Sequence, residues 1–198
     1  MREPLAFVPP EELARANFYG LLARLFHAPP DEALLEALAS ADELDAEDET
    51  LAARWRELIA AAATTPAEAV REEFDSTFIG TGKAPVTLYA SAYSLRYTNE
   101  TPLAALRADL AALGLARREQ VGEPEDHIAA LCETMRHLIA AERRPLEEQR
   151  DFYRRWLAPN VEPLCAAIEA HERASFYRPV SRVAKAFFSL EQAAFEML

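Results

Sequence analysis

The hydrophobic positions of this chain recur at a helical period along almost its whole length. Leucine, phenylalanine and alanine residues follow the i, i+3, i+4, i+7 spacing, which places them on one face of an α-helix. The clearest stripes are Phe18, Leu21, Leu22 and Leu25; Leu51, Trp55, Leu58, Ile59 and Ala62; Leu103, Leu106, Leu110 and Leu113; and Ile128, Leu131, Cys132, Met135, Leu138 and Ile139. The pattern predicts an all-α, single-domain bundle of about eight to ten helices.

The predicted helices have recognisable ends. The first helix is expected over about residues 11–26, because a proline pair follows it. Asp31 should cap a second helix that runs to about Ala39. Gly114 should end a later helix, since glycine is favoured just past a helix C-terminus. The chain contains five glycines, most of them at predicted element ends, which also fits a helical protein.

Two segments between the helices are predicted to be irregular. Residues 85–93 alternate β-type side chains with others, but they lie between Gly82 and the next helix, so a loop is favoured over a strand. Residues 42–49 read DELDAEDE, with six acids in eight positions. This segment is predicted to be a solvated acidic linker, and a docking site for a basic segment is its alternative interpretation.

Charge and composition restrict the classes of partner. The 198 residues include 33 acidic side chains against 21 Lys and Arg, which gives a net charge of −12. This charge repels nucleic acids and anionic membrane surfaces, so neither is an expected partner, and it attracts cationic protein segments. No uncharged apolar run approaches the roughly 20 residues that span a bilayer, and no secretory signal is recognisable. With Cys132 and Cys165 on apolar stripes, as unpaired thiols would be, we predict a cytoplasmic protein.

A polar and aromatic segment follows the fourth predicted helix. Residues 73–93 end that helix and continue into a loop that carries Tyr89, Ser91 and Tyr93. Two interpretations of these side chains are open. They either pack back onto the core, as aromatic residues of long interhelical loops do, or form a binding surface.

A second polar segment, residues 123–135, precedes the most regular apolar stripe. Pro124 is expected at the first helical position, with Glu125 and Asp126 in the first turn, where carboxylates interact favourably with the helix dipole. That structural role accounts for the acids. It does not account for His127, which lies beside the apolar stripe.

Three catalytic interpretations find little support. The run of residues 80–83, GTGK, resembles the end of a phosphate-binding loop, but Thr77 and Ala84 stand where that motif needs Gly and Ser or Thr. The Glu-x-x-His pairs from which helical bundles build metal sites do not occur, and Glu133 with His137 at i, i+4 is more often a surface contact. Neither cysteine lies in the polar or basic setting of a nucleophile. We therefore expect no catalytic residue, no metal and no cofactor of the chain's own.

Four motifs follow one another in a fixed order: Phe74-x-x-x-Phe78, Ile79-Gly80-x-Gly82, Tyr89-x-Ser91-x-Tyr93 and Glu123-x-x-Asp126-His127-Ile128. This ordered combination resembles the TorD/DmsD family of redox enzyme maturation chaperones and the related NarJ group. Residues 17–26 and 176–188 are also similar to that family. The chain departs from the family pattern in having Gly80-Thr81-Gly82 for Gly-Pro-Gly and Leu88 where a proline often precedes the tyrosine.

The resemblance implies a TorD-like helical fold and a cytoplasmic, non-catalytic chaperone. Such proteins bind the twin-arginine signal peptide and the apo catalytic subunit of a molybdopterin oxidoreductase of the dimethyl-sulfoxide-reductase type. They assist cofactor insertion and prevent premature export, and the molybdopterin belongs to the client. A monomer or a domain-swapped dimer is expected.

The resemblance also implies a peptide-binding site. Its expected members are Phe78, Tyr89, Ser91, Tyr93, Glu123, Asp126 and His127. The acids would meet the arginines of the leader, the aromatics would line its apolar part, and His127 with Ser91 would order the loop. A helical adaptor that binds no leader, and a small helical metalloenzyme that would retain metal on purification, are the alternatives.

Overall fold

The computed structural model describes residues 9–44, 48–80, 82–94, 102–116 and 123–198. The helices within these ranges are α1 (Pro10–His27), α2 (Glu32–Ala39), α3 (Glu49–Thr64), α4 (Ala67–Phe74), α5 (Ser91–Ser94), α6 (Pro102–Ala112), α7 (Ile128–Ala140), α8 (Leu146–Phe152), α9 (Ala158–Ala170) and α10 (Tyr177–Glu196). In the described part of the chain, β-structure is limited to one isolated antiparallel bridge between Tyr89 and His127. The prediction of an all-α bundle is confirmed.

Two helices widen into π-helical segments at their C-terminal ends. After α4, residues Asp75–Ile79 adopt this form, and the Gly80 amide donates to the Asp75 carbonyl at 2.7 Å. After α8, Tyr153–Leu157 do the same and run directly into α9. Each π segment inserts a residue into the helical repeat, which turns the following side chains relative to a regular helix.

The predicted cap of the second helix is confirmed. A carboxylate oxygen of Asp31 accepts the Leu34 amide at 2.9 Å and caps α2. Asp48 caps α3 in the same way, through the Leu51 amide. The acidic segment predicted as a linker therefore ends in a helix cap, while its residues 45–47 lie outside the described residues.

Gly114 ends α6 as predicted. Its φ of +77° lies in the left-handed region that glycine adopts without a steric penalty. The Leu115 amide donates to the Leu110 carbonyl at 2.8 Å, which is the long-range bond of a Schellman motif.

One hydrophobic cluster forms the core of the described bundle, with α1 packed along α7 and α10 packed against α3 and α9. Gly20 permits the close approach of α1 and α7, because a Cβ atom there would meet the Arg136 side chain at 2.9 Å. Cys132 and Cys165 are both buried and unpaired. Burial raises the pKa of both thiols, that of Cys165 to about 11, so both stay protonated at neutral pH.

A buried carboxylate joins α4 to the start of α10. Glu73 lies on the apolar face of α4 and is 8% exposed. Its two oxygens accept the backbone amides of Phe176 and Tyr177 at 2.9 and 2.8 Å. Phe176 is the N-cap residue of α10 and Tyr177 is its first residue, so these amides have no partner within the helix, and Glu73 caps a helix about 100 positions away in sequence.

None of the helices in the described ranges combines the length and apolar character needed to cross a membrane.

Candidate functional site: a groove at the start of α7

The loop after α4 and the start of α7 are joined by backbone hydrogen bonds on both sides of the Tyr89 to His127 bridge. The Ile128 amide donates to the Leu88 carbonyl at 2.8 Å, and the Ala90 amide donates to the Asp126 carbonyl at 2.9 Å. The bridge therefore places two segments that are distant in sequence against each other. It defines the framework of the site.

The Asp126 carboxylate fixes the start of α5. One of its oxygens accepts the Ser91 amide at 3.1 Å, and Asp126 is 5% exposed. The residue that holds Ser91 is thus Asp126, whereas the sequence suggested that His127 would order the loop with Ser91. Their described contact is through the Ser91 backbone, and it orders the loop.

His127 is the N-cap of α7. Its ring nitrogen Nδ1 accepts the Ala129 amide at 3.2 Å, and its own backbone is extended, with a ψ of 132°. The expected helix start at Pro124 is therefore wrong. Because His127 takes part in the bridge, its extended backbone stops the helix from beginning earlier, and Glu125 and Asp126 form a turn before it.

Tyr89 contacts both His127 and Glu123. Its ring meets the imidazole edge to face, with centroids 5.3 Å apart and an interplanar angle of 84°. Its hydroxyl donates to a Glu123 carboxylate oxygen at 2.5 Å. This hydrogen bond, with partial burial, raises the pKa of Tyr89 to about 12, so the phenol stays protonated and holds Glu123 in place at neutral pH.

Tyr93 and Phe78 lie on the core side of the loop. The Tyr93 hydroxyl donates to the Thr87 carbonyl at 2.8 Å, and burial raises its pKa to about 12. Phe78 is 6% exposed and packs edge to face on Tyr177, with centroids 4.8 Å apart. Both aromatic side chains therefore support the loop from its core side.

A groove with a volume of about 610 Å³ opens between the C-terminal ends of α1 and α6 and one face of α7. Of the seven residues predicted from the sequence, Glu123 and His127 line it. The other described lining residues are Ala23, Arg24 and His27 from α1; Leu110, Leu115 and Ala116 from α6 and the residues after it; and Pro124, Glu125, Ala129, Ala130, Glu133, Thr134 and His137. Most of the groove surface is apolar, and acids lie along it.

The three acids of the groove differ in their partners. Glu125 forms a two-bond ion pair with Arg107, both distances being 3.0 Å, and Glu133 pairs with Arg136 at 2.5 Å. The hydrogen-bond partner of Glu123 is instead the neutral phenol of Tyr89. Glu123 is also exposed to solvent. It therefore offers its negative charge to an incoming cation more readily than the two paired acids.

Sequence reasoning placed Glu133 and His137 on one helix face but did not place them in a groove. Their side chains have separate partners, since His137 lies 3.5 Å from Glu142 and Glu133 pairs with Arg136. Arg24 and His27 were missed altogether. A hint was available in the basic last turn of α1, but the packing of α1 on α7 is a tertiary feature that no local pattern encodes.

No group of three or more His, Cys, Asp or Glu side chains within the described ranges is arranged to hold a metal ion.

Replacing Tyr89 with phenylalanine tests its contact with Glu123. The change removes one hydroxyl and keeps the ring against His127, so we expect the melting temperature to stay within about 2 °C of wild type. A leader peptide that depends on Glu123 should bind about threefold more weakly, as expected for one lost hydrogen bond. Calorimetric titration measures this loss, and Tyr93→Phe, on the core side of the loop, should leave the affinity unchanged.

Known structures share this helical fold. A proposed redox enzyme maturation protein from Archaeoglobus fulgidus is similar, with a TM-score of 0.57 and 20% sequence identity. The similarity covers 96% of this chain and 99% of that protein. No curated protein sequence matches the chain.

A family model supplies the functional class. The model described as nitrate reductase delta subunit matches residues 41–166, well over half of the chain. The chain belongs to this family of TorD- and NarJ-related redox enzyme maturation proteins. The predicted family resemblance is confirmed, and the class of maturation chaperones follows from it.

Proposed function

We propose that this protein is a cytoplasmic, non-catalytic chaperone for a molybdopterin oxidoreductase of the dimethyl-sulfoxide-reductase type. It binds the twin-arginine signal peptide and the apo catalytic subunit, assists cofactor insertion and prevents premature export. The observation that carries the proposal is the groove of about 610 Å³ with an exposed acid, Glu123, at its edge.

The groove suits a basic and apolar peptide on chemical grounds. A twin-arginine leader presents two guanidinium groups followed by an apolar stretch. Glu123 can take a guanidinium by paired charge-assisted bonds, because its phenol partner leaves the carboxylate charged. Alanines at positions 23, 129 and 130 leave room for larger apolar side chains of the peptide. The net charge of −12 speeds the encounter with such a segment.

The seven predicted site residues have different roles in this proposal, according to where they lie in the structure. Glu123 and His127 line the groove and are the proposed contacts. Tyr89 holds Glu123, the contact of Ser91 with Asp126 joins the loop after α4 to the start of α7, and Phe78 and Tyr93 support that loop from the core. Direct peptide contact is therefore proposed for fewer residues than the sequence suggested.

The family model names a nitrate reductase subunit, so the catalytic subunit of a nitrate reductase is one client to test alongside other molybdopterin enzymes. The molybdenum cofactor is a property of the client in this proposal. The chaperone acts as a monomer or a domain-swapped dimer, and its task ends when the loaded client is released for export.

Filling the groove tests the proposal. Ala130 lies on α7, is partly buried and lines the groove. The substitution Ala130→Phe therefore places an aromatic ring inside the groove. We expect the affinity for a twin-arginine leader to fall at least about tenfold, because the space for the peptide's apolar side chains is lost. Fluorescence anisotropy with a labelled leader measures the change.

The matched control is Ala60→Phe, the same substitution at an exposed position of α3, which does not line the groove. It should bind the leader as wild type does. If both variants bound the leader equally well, the groove would not be the binding site. Circular dichroism verifies that both variants remain helical.

A further inference from the structure

Three of the four histidines of the chain line the groove. They are His27 at the end of α1, His127 at the start of α7 and His137 further along α7. Histidine is the side chain whose ordinary pKa lies between pH 5 and 8.

His127 differs from the other two because a hydrogen bond fixes its protonation state. Its Nδ1 accepts the Ala129 amide at 3.2 Å, so this nitrogen carries no proton and Nε2 does. A second proton would have to bind Nδ1, and the imidazolium would then have no lone pair with which to accept the amide. Protonation and the α7 cap are mutually exclusive in this ring orientation.

The groups around His127 shift its pKa in opposite directions. Burial in the site, which leaves His127 7% exposed, is the largest influence and lowers its pKa. Glu123 and Asp126 favour the charged form, whereas His27, across the groove on α1, opposes it. The balance is a pKa below the ordinary value.

The remaining charged groups near the ring belong to α1, to the loop and to α7. Arg24 is a further lining residue of the α1 wall. Glu125 is paired with Arg107, and Glu133 is paired with Arg136. The phenol of Tyr89, which lies against the imidazole, stays neutral. The positive end of the α7 dipole adds to the cost of charging the cap residue.

We infer that His127 is a proton-sensitive cap through which acidification weakens peptide binding in the groove. The inference rests on the proposed function and adds regulation to it. Uptake of a proton from solvent at Nδ1 releases the Ala129 amide and loosens the first turn of α7. It also places a positive charge beside Glu123, where it competes with the cation of the peptide.

The direction in which pH changes the stability contributed by the cap follows from the lowered pKa of His127. Above about pH 6.5, the ordinary pKa of histidine, the ring is neutral in both folded and unfolded chains and the cap is intact. As the pH falls below that value, the unfolded chain takes up the proton first. The stabilisation by the cap is therefore lost progressively down to and through the folded pKa.

Binding of one leader peptide by the full-length chain at pH values from 8.0 to 5.0 tests the inference. The peptide is acetylated and amidated and contains arginine and apolar residues but no His, Asp or Glu, so the peptide itself does not titrate. We expect the affinity of wild type to fall about fivefold more than that of His127→Asn, since asparagine caps a helix without titrating. His137→Asn, in the same groove but without a cap bond, should show the wild-type fall.

The outcomes separate the regulation from the function. Equal pH dependence of wild type and His127→Asn, with binding intact, would overturn the regulation alone. Absence of binding at every pH in wild type would overturn the regulation and the proposed function together. The Ala129 amide proton, followed by NMR, should shift with pH in wild type and in His137→Asn and stay constant in His127→Asn. A constant shift in wild type would overturn the cap mechanism.

Discussion

Glu73→Ala is expected to lower the free energy of unfolding by about 3 kcal/mol. The substitution removes a carboxylate whose two oxygens accept the amides of Phe176 and Tyr177, and it leaves both donors buried without that partner. A hydrogen bond to a charged group contributes about 1.5 to 3 kcal/mol, and two bonds to one carboxylate are not fully additive. Denaturant unfolding followed by circular dichroism measures the loss.

Two further variants make this stability test specific. Glu72→Ala removes the neighbouring carboxylate, which is exposed on the same helix, and should change the free energy of unfolding by less than about 0.5 kcal/mol. Glu73→Gln keeps one acceptor oxygen and should lie between wild type and Glu73→Ala. Equal stabilities of Glu72→Ala and Glu73→Ala would show that the link from α4 to α10 contributes little.

Glu123→Lys is expected to have the largest effect on peptide binding. The substitution replaces the groove acid whose described partner is a neutral phenol with a cation that repels the guanidinium of the leader. We expect the affinity to fall about 100-fold, which corresponds to the loss of one charge-assisted pair and the gain of a repulsion. Anisotropy at low and high salt measures the loss and its electrostatic share.

Glu147→Lys is the matched control for charge. Glu147 is exposed in the first turn of α8 and does not line the groove. The two variants change the net charge equally, so long-range attraction of the peptide falls by the same amount in both. A loss of affinity that is equal in the two variants would assign the effect to overall charge and remove Glu123 from the site.

The helices could be predicted from the sequence because their determinants are local. The stripe from Ile128 to Ile139 lies on one buried face of α7, and Asp31 caps α2 as an acid before an apolar run should. Gly114 ends α6 with the positive φ that glycine accepts. Each of these features depends on neighbours within one or two helical turns.

The start of α7 could not be predicted from local rules. Pro124 and the acids after it fit a first turn, yet the helix begins at Ile128 because His127 is held extended by the bridge to Tyr89. A contact between segments that are far apart in sequence therefore overrode local preference. The role of Glu73 was hidden for the same reason, since its partners lie in α10.

The site was predicted in part. The motifs indicated that the loop near Tyr89 and the segment near Asp126 belong together, and the structure brings them into contact. The groove itself depends on how α1 packs on α7, which is set by the Gly20 contact and the shared core. Residues such as His27 and Glu133 become neighbours through that packing.

Titration of the full-length wild-type chain with a twin-arginine leader, followed by NMR, tests the central claim most directly. The account predicts saturable binding, with the largest shifts at the amides of Ala129, Ala130 and Thr134 on α7. It also predicts weaker binding of a leader with two lysines in place of the arginines, because lysine cannot form the paired bonds of a guanidinium. No saturable binding, or shifts confined to residues outside the groove, would contradict the account.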